Sequence, residues 1–140
     1  MPVSQCPECG AVYPDETDSC AARFAMLLAL DHSRREPWGS RHGVAFAAFA
    51  LQHPTAYAAS VDRAWAMLHR IYVAGVPAAE VIARLRACRG ELPAEWRPPP
   101  RPPRPARAPR VTIADLGDFA PETYPAELDA WCRASIAAWT

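Results

Sequence analysis

Cys6 and Cys9 are separated by two residues in the run CPECG, the first point in the chain where spacing suggests chemistry. Two thiolates so placed supply half of a tetrahedral zinc site. Its sulfur and nitrogen ligands lie about 2.0–2.3 Å from the ion, and so within about 4 Å of one another. Gly10 lets the backbone amides turn toward the sulfurs, as in a zinc knuckle. The alternatives are a redox pair and a chance spacing. Redox use ordinarily places CxxC at the start of a helix in a strand-rich fold, and the sequence offers neither. Cys20 is the candidate third ligand, since it falls in the first turn of a helix where the dipole favours a thiolate; the other reading is a small buried core residue.

The fourth ligand is a question of helix geometry. His42 and His53 are eleven residues apart, so on one helix they point to nearly the same side but stand about 16 Å apart along its axis. They cannot share one ion. A short loop joins the first and second helices, which therefore pack antiparallel, and this puts Cys20 beside His53. The expected set is Cys6, Cys9, Cys20 and His53 around Zn2+, with His42 as the alternative fourth ligand; His53 as a helix-end cap on a carbonyl is the competing role. In the same picture His32, His42 and His69, with Asp31, gather at the opposite pole as a possible second polar cluster.

The elements that must position these residues are helical. SCAARFAMLLALDHS starts a helix capped by Ser19, and RHGVAFAAFALQ forms a second from about Ser40 to the residues before Pro54. SVDRAWAMLHRIYVAG, capped by Ser60 and stopped at Gly75, is a third. PAAEVIARLRACRG, with Pro77 in its first position, is a fourth with Val81, Ile82, Leu85 and Cys88 on its stripe. Residues 97–110, RPPPRPPRPARAPR, hold seven of the sixteen prolines and read as an extended polyproline-like spacer. VTIADL after it reads as a short strand-like piece. PAELDAWCRASIAAW is a last amphipathic helix, with Leu128, Trp131, Cys132, Ser135 and Trp139 docking on the bundle.

The expected architecture is an all-α bundle of about five helices with an N-terminal zinc-knuckle arm. It divides into a helical domain over 1–92, a Pro/Arg-rich linker over 93–110 and a C-terminal piece over 111–140. A chain of 140 residues, half of them hydrophobic, suits one core with appendages.

Fifteen arginines, no lysine and fifteen acidic residues give a formal net charge of zero, which argues against coating nucleic acid or an anionic membrane. No run of about 18 apolar residues suggests a membrane span, and MPVSQCPECG lacks the pattern of a signal peptide. A cytoplasmic location follows as the expectation, where five cysteines are better read as ligands and buried thiols than as disulfides.

With CPECG, Cys20, LLALDHS, RHGVAFAAFALQHP and VTIADL in view, the chain resembles a family of uncharacterised bacterial proteins, a domain of unknown function. Its members begin with CPxCG, place a cysteine before a helix reading roughly F-x-x-L-L-A-L-E/D, and carry a histidine-containing helix ending in QHP. The likeness spans nearly the full chain and is most specific at Cys6 to Gly10, Cys20, His42 and Gln52-His53-Pro54. Arg41 stands where members often have a second histidine, and the proline-arginine stretch is unusually long. The resemblance implies that these residues form a unit; it implies no activity.

Three functions compete. In the first, a closed structural zinc site stabilises a helical protein that binds another protein, with RPPPRPPRP as a spacer or a docking strip. In the second, the chain is a metal-dependent enzyme: either the metal has three protein ligands, or His32, His42 and His69 line a pocket with Asp31 or Asp62 as acid or base. No nucleophile elbow, Walker loop, HExxH or dinucleotide fingerprint supports it, and no catalytic residue is assigned. In the third, the knuckle and Arg97, Arg101, Arg104, Arg107 and Arg110 bind nucleic acid, a reading that the zero net charge disfavours.

Overall fold

The stretch HGVAFAAFALQ has almost no polar face, and a helix apolar all round must be enclosed by others. In the computed structural model, which describes residues 3–89 and 91–140, this stretch forms α2 (His42–Gln52), buried from Val44 onward except at Phe46. Ala45, Ala47, Ala48 and Ala50 give α2 a thin profile, so α3 (Val61–Tyr72) and α5 (Tyr124–Ala137) both pack closely on it. Around this centre lie α1 (Cys20–His32) and α4 (Ala78–Ala87), and a small antiparallel hairpin pairs β1 (Ser4–Gln5) with β2 (Val12–Tyr13). The chain is predominantly helical, as its periodicities require. Among the described residues no helix is long and apolar enough to cross a membrane.

Two contacts set the direction of α1 against α2. Cys20, which opens α1, lies by His53 just past the end of α2; Asp31, near the end of α1, bonds His42 at the start of α2. The two helices are therefore antiparallel. Phe24 supports the contact from within α1 by stacking on Phe49 at 4.0 Å between centroids. The Ser19 hydroxyl accepts from the Ala22 amide at 3.0 Å and so caps α1 as its sequence predicts.

α5 docks through Leu128, Trp131, Cys132 and Ser135, and buried polar groups fix its register. The Gln52 amide donates to Val111 O (2.7 Å) and Ser135 Oγ (2.9 Å), while its oxygen accepts from Trp131 Nε1 (3.1 Å). A buried amide so fully satisfied specifies one alignment, because any slip leaves several polar atoms without partners. Trp139, just past α5, is 1% exposed and donates through Nε1 to Leu51 O at 3.0 Å.

The proline-arginine stretch lies against the helices. Pro99 O accepts from Trp65 Nε1 at 2.9 Å, and the Ala106 and Arg107 amides donate to Ala138 O at 2.8 and 3.2 Å. Arg101 bonds Asp62 at 2.6 Å and sits 5.6 Å over the Trp139 ring. A chain that loses little conformational entropy on being straightened needs few such contacts to stay in place.

Local expectations are corrected at four points. VTIADL is no strand: Ile113–Leu116 is a turn of 3-10 helix closed by a reciprocal capping box between Thr112 and Asp115, and a T-x-x-D signal outweighs the β-branched run before it. The second helix begins at His42, with a 3-10 turn at Gly39–Arg41 ahead of it. Ser60 precedes α3 without a side-chain capping bond, and Pro77 is the residue before α4 instead of its first. Gly90, at the end of the fourth predicted helix, lies outside the described residues.

Trp139→Ala would remove both a fully buried ring and the donor to Leu51 O. The expected loss is about 3–5 kcal/mol of unfolding free energy, measured by urea denaturation.

Candidate metal centre

Each cluster residue is placed by a different local device. The knuckle closes on two backbone bonds, Cys6 N to Ala11 O at 2.8 Å and Gly10 N to Cys6 O at 3.0 Å. Gly10 has φ of 81°, in the left-handed region that a side chain would strain. Cys20 is the first residue of α1, held there by the Ser19 cap. His53 ends α2, before Pro54.

Together they form a tight group. One ligand atom from each of Cys6, Cys9, Cys20 and His53 lies within 4.8 Å of all the others, and Cys9 and Cys20 sulfurs are 3.5 Å apart. Cys9, Cys20 and His53 are buried, and Cys6 is partly exposed at the margin. Among the described residues this is the single group of such geometry. The alternative fourth ligand, His42, is at the far end of α2, about 16 Å away along its axis, and is bonded to Asp31.

His53 makes the carbonyl contact that its position suggested, and it also stands in the cluster. Nδ1 lies 2.8 Å from Phe49 O, so it carries the proton and caps that carbonyl. Nε2 is buried with no hydrogen-bond partner. An imidazole fixed through one nitrogen with the other aimed at three sulfurs is the arrangement of a metal-ligating histidine. The ring stacks on Phe49 at 4.0 Å, which leaves it little freedom to turn away. The donor chemistry and the orphaned nitrogen thus fit a metal ion, and the cluster can hold one.

Charge in the cluster concentrates on Cys20. A hydrogen bond from the Cys9 thiol holds the Cys20 pKa down at about 4 despite burial, helped by His53 and by the Tyr13 hydroxyl. The same bond to Cys20, with burial, pushes Cys9 upward. Burial opposes the charged form of His53, yet the Cys20 sulfur and the Phe49 carbonyl outweigh it and raise its pKa.

Two supporting residues carry no spacing signal. Tyr13, buried on β2, donates its hydroxyl to Cys20 Sγ at 3.0 Å. Glu8, inside the knuckle, accepts from the amides of Thr55 at 2.7 Å and Ala56 at 3.4 Å, and so ties the knuckle to the turn after His53. Both become meaningful only once the hairpin and the end of α2 are known to meet.

Family membership adds to this geometry. Residues 4–140 match the family of unknown function DUF5946. The chain belongs to that family. The match takes in the knuckle, all five α-helices of the DUF5946 fold seen here and the packed proline-arginine stretch. No curated protein and no solved structure matches the chain.

The remaining histidines divide. His32 and His42 come together, with ring centroids 5.4 Å apart, beside Asp31. His69 does not join them; it packs on Trp65 at 5.6 Å between centroids. Met67 faces α2, and two residues along a helix is a rotation of about 200°, which sends His69 to the other side of α3. Asp62 is bonded to Arg101 and does not line the cavity beside Asp31 and His42.

Tyr13→Phe would remove the hydrogen bond to Cys20 without altering the packing of the ring. Metal affinity should fall about tenfold, as read by competition with a chromogenic chelator, with the fold retained.

Proposed function

We propose that this chain is a zinc-stabilised helical protein acting through a protein partner in the cytoplasm, with Cys6, Cys9, Cys20 and His53 as a closed structural site. The observation that carries the reading is the convergence of three sulfurs and an orphaned imidazole nitrogen within 4.8 Å. Three thiolates and one imidazole are the soft and borderline donors that zinc prefers, in a number that completes a tetrahedron. With no open position the ion cannot activate water, so its work is to join the β1–β2 hairpin to the α1–α2 pair.

Joining matters because the hairpin has little of its own to hold it. Two strands of two residues each are marginal alone. Cys9, Ala11 and Tyr13 reach the core, while Val3 and Val12 remain exposed at 63% and 57%. A metal tie lets so small an element present those apolar side chains outward in a fixed orientation, which suits a protein contact. Nucleic acid is the weaker candidate, since Arg101 is engaged with Asp62 and Trp139 and the net charge is zero.

The test is metal content by elemental mass spectrometry on native protein, beside His53→Ala and His42→Ala. About one zinc per chain is expected in the wild type and in His42→Ala, and a loss in His53→Ala. Cys6→Ser and Cys9→Ser should lose metal and thermal stability together, because ligand binding and folding are linked. Metal loss with an unchanged melting curve would overturn the structural role, and retention of zinc by His53→Ala would overturn the ligand set.

A further inference from the structure

Three turns of α2 away from His53, a second polar site is built on different chemistry. Asp31 is 4% exposed, its Oδ2 lies 3.0 Å from His42 Nδ1, and its Oδ1 has no hydrogen-bond partner. Burying a carboxylate is costly unless something compensates, and burial raises the Asp31 pKa although the hydrogen bond from His42 opposes the rise. The bond between Asp31 Oδ2 and His42 Nδ1 fixes the orientation of the imidazole ring. The His42 side chain is 39% exposed, on the wall of a cavity of about 560 Å³. That volume is in the range of small-molecule sites.

The cavity wall is rich in cationic groups. His32, Arg34, Arg63 and Arg86 line it with Asp31 and His42, so guanidiniums outnumber the carboxylate three to one. Among the described residues the Arg34 and Arg86 side chains enter no salt bridge. Met67 and Leu85 add apolar lining. The three sulfurs and His53 are the single metal-type cluster among the described residues, so these groups do not assemble as a second metal site.

The rim is shaped as well as charged. Arg34 has φ of 61°, and a Cβ at Gly39 would stand 3.1 Å from the Arg34 backbone. Gly39 thus permits a close approach that no other residue allows, and Arg34 is held in a backbone region that L residues rarely adopt. Arg34, just past α1, lines the cavity, and so does Arg86 from α4.

We propose that this cavity binds a small organic anion: Arg34 and Arg86 hold its oxyanion head, Met67 and Leu85 hold an apolar body, and the His42 ring, oriented by Asp31, forms part of the wall beside it. Guanidiniums suit both phosphate and carboxylate heads because their paired donors match two oxygens at once. The site does not depend on the cysteine cluster, which lies at the other end of α2.

The experiment titrates the full-length protein at low salt with phenyl phosphate and, separately, with benzoate, two probes that share a body and differ in the head. Imidazole resonances of His32, His42 and His53 are followed by NMR. Saturable binding that moves His32 and His42 and leaves His53 in place is expected, with affinity at least tenfold weaker in the Arg34→Gln/Arg86→Gln double variant. Both arginines are exposed, so that variant should melt with the wild type. His42→Gln should weaken binding less, since it removes no guanidinium. Tighter binding of phenyl phosphate assigns the head as a phosphate monoester, and tighter or equal binding of benzoate assigns a carboxylate. Failure of both probes to saturate, or equal binding by the double variant, would overturn the proposal.

Discussion

Eleven residues separate Cys20 from Asp31 along α1, and eleven separate His42 from His53 at α2. Eleven residues is about three helical turns, so each pair lies on one side of its own helix. Laid antiparallel, the two helices can then satisfy both ends at once, Cys20 with His53 and Asp31 with His42. The stacked Phe24 and Phe49 rings fill the space between. A register shift of one residue would turn both polar pairs apart together. The cysteine–histidine cluster and the cavity beside Asp31 and His42 are therefore two ends of a single packing constraint, although nothing in their chemistry is shared.

What the sequence revealed of this arrangement follows from the range of the interactions involved. Helix phases, caps and the CxxC turn are local properties, and CPECG, Ser19 before Cys20 and Pro54 after His53 could be read directly. The choice of His53 over His42 needed one long-range premise, the antiparallel hairpin, which the short loop supplied. Tyr13 and Glu8 needed contacts across seven and forty-seven positions, and no residue type or spacing announces those. His69 was misplaced because its direction depends on which face of α3 meets α2, a question settled by Met67 against Gly43.

The C-terminal half shows a different limit. Prolines at seven of fourteen positions exclude regular structure in 97–110, and composition alone stops there. Whether such a stretch lies on the protein depends on who offers donors to its free carbonyls. Trp65 does so here, the Ala138 carbonyl past α5 accepts from the stretch's own Ala106 and Arg107 amides, and Arg101 adds a stacked cation on Trp139. The misread strand at VTIADL is a closer failure, because Thr112 and Asp115 already carried the capping signal.

The alanines of α2 restrict what the rest of the chain can become. Ala45, Ala48 and Ala50 are fully enclosed, and an added methyl or methylene in so dense a setting forces neighbours off their rotamers at a cost of about 1–3 kcal/mol. Mutational drift at those positions is thus blocked toward larger residues, and toward glycine it loses helix propensity. The solvent-facing residues of α4, which packs mainly on α3, are under no comparable restriction. Variation should accumulate on that outer layer while the helix that spans both polar ends stays nearly immutable, so tolerance to substitution maps distance from α2 more closely than distance from either site.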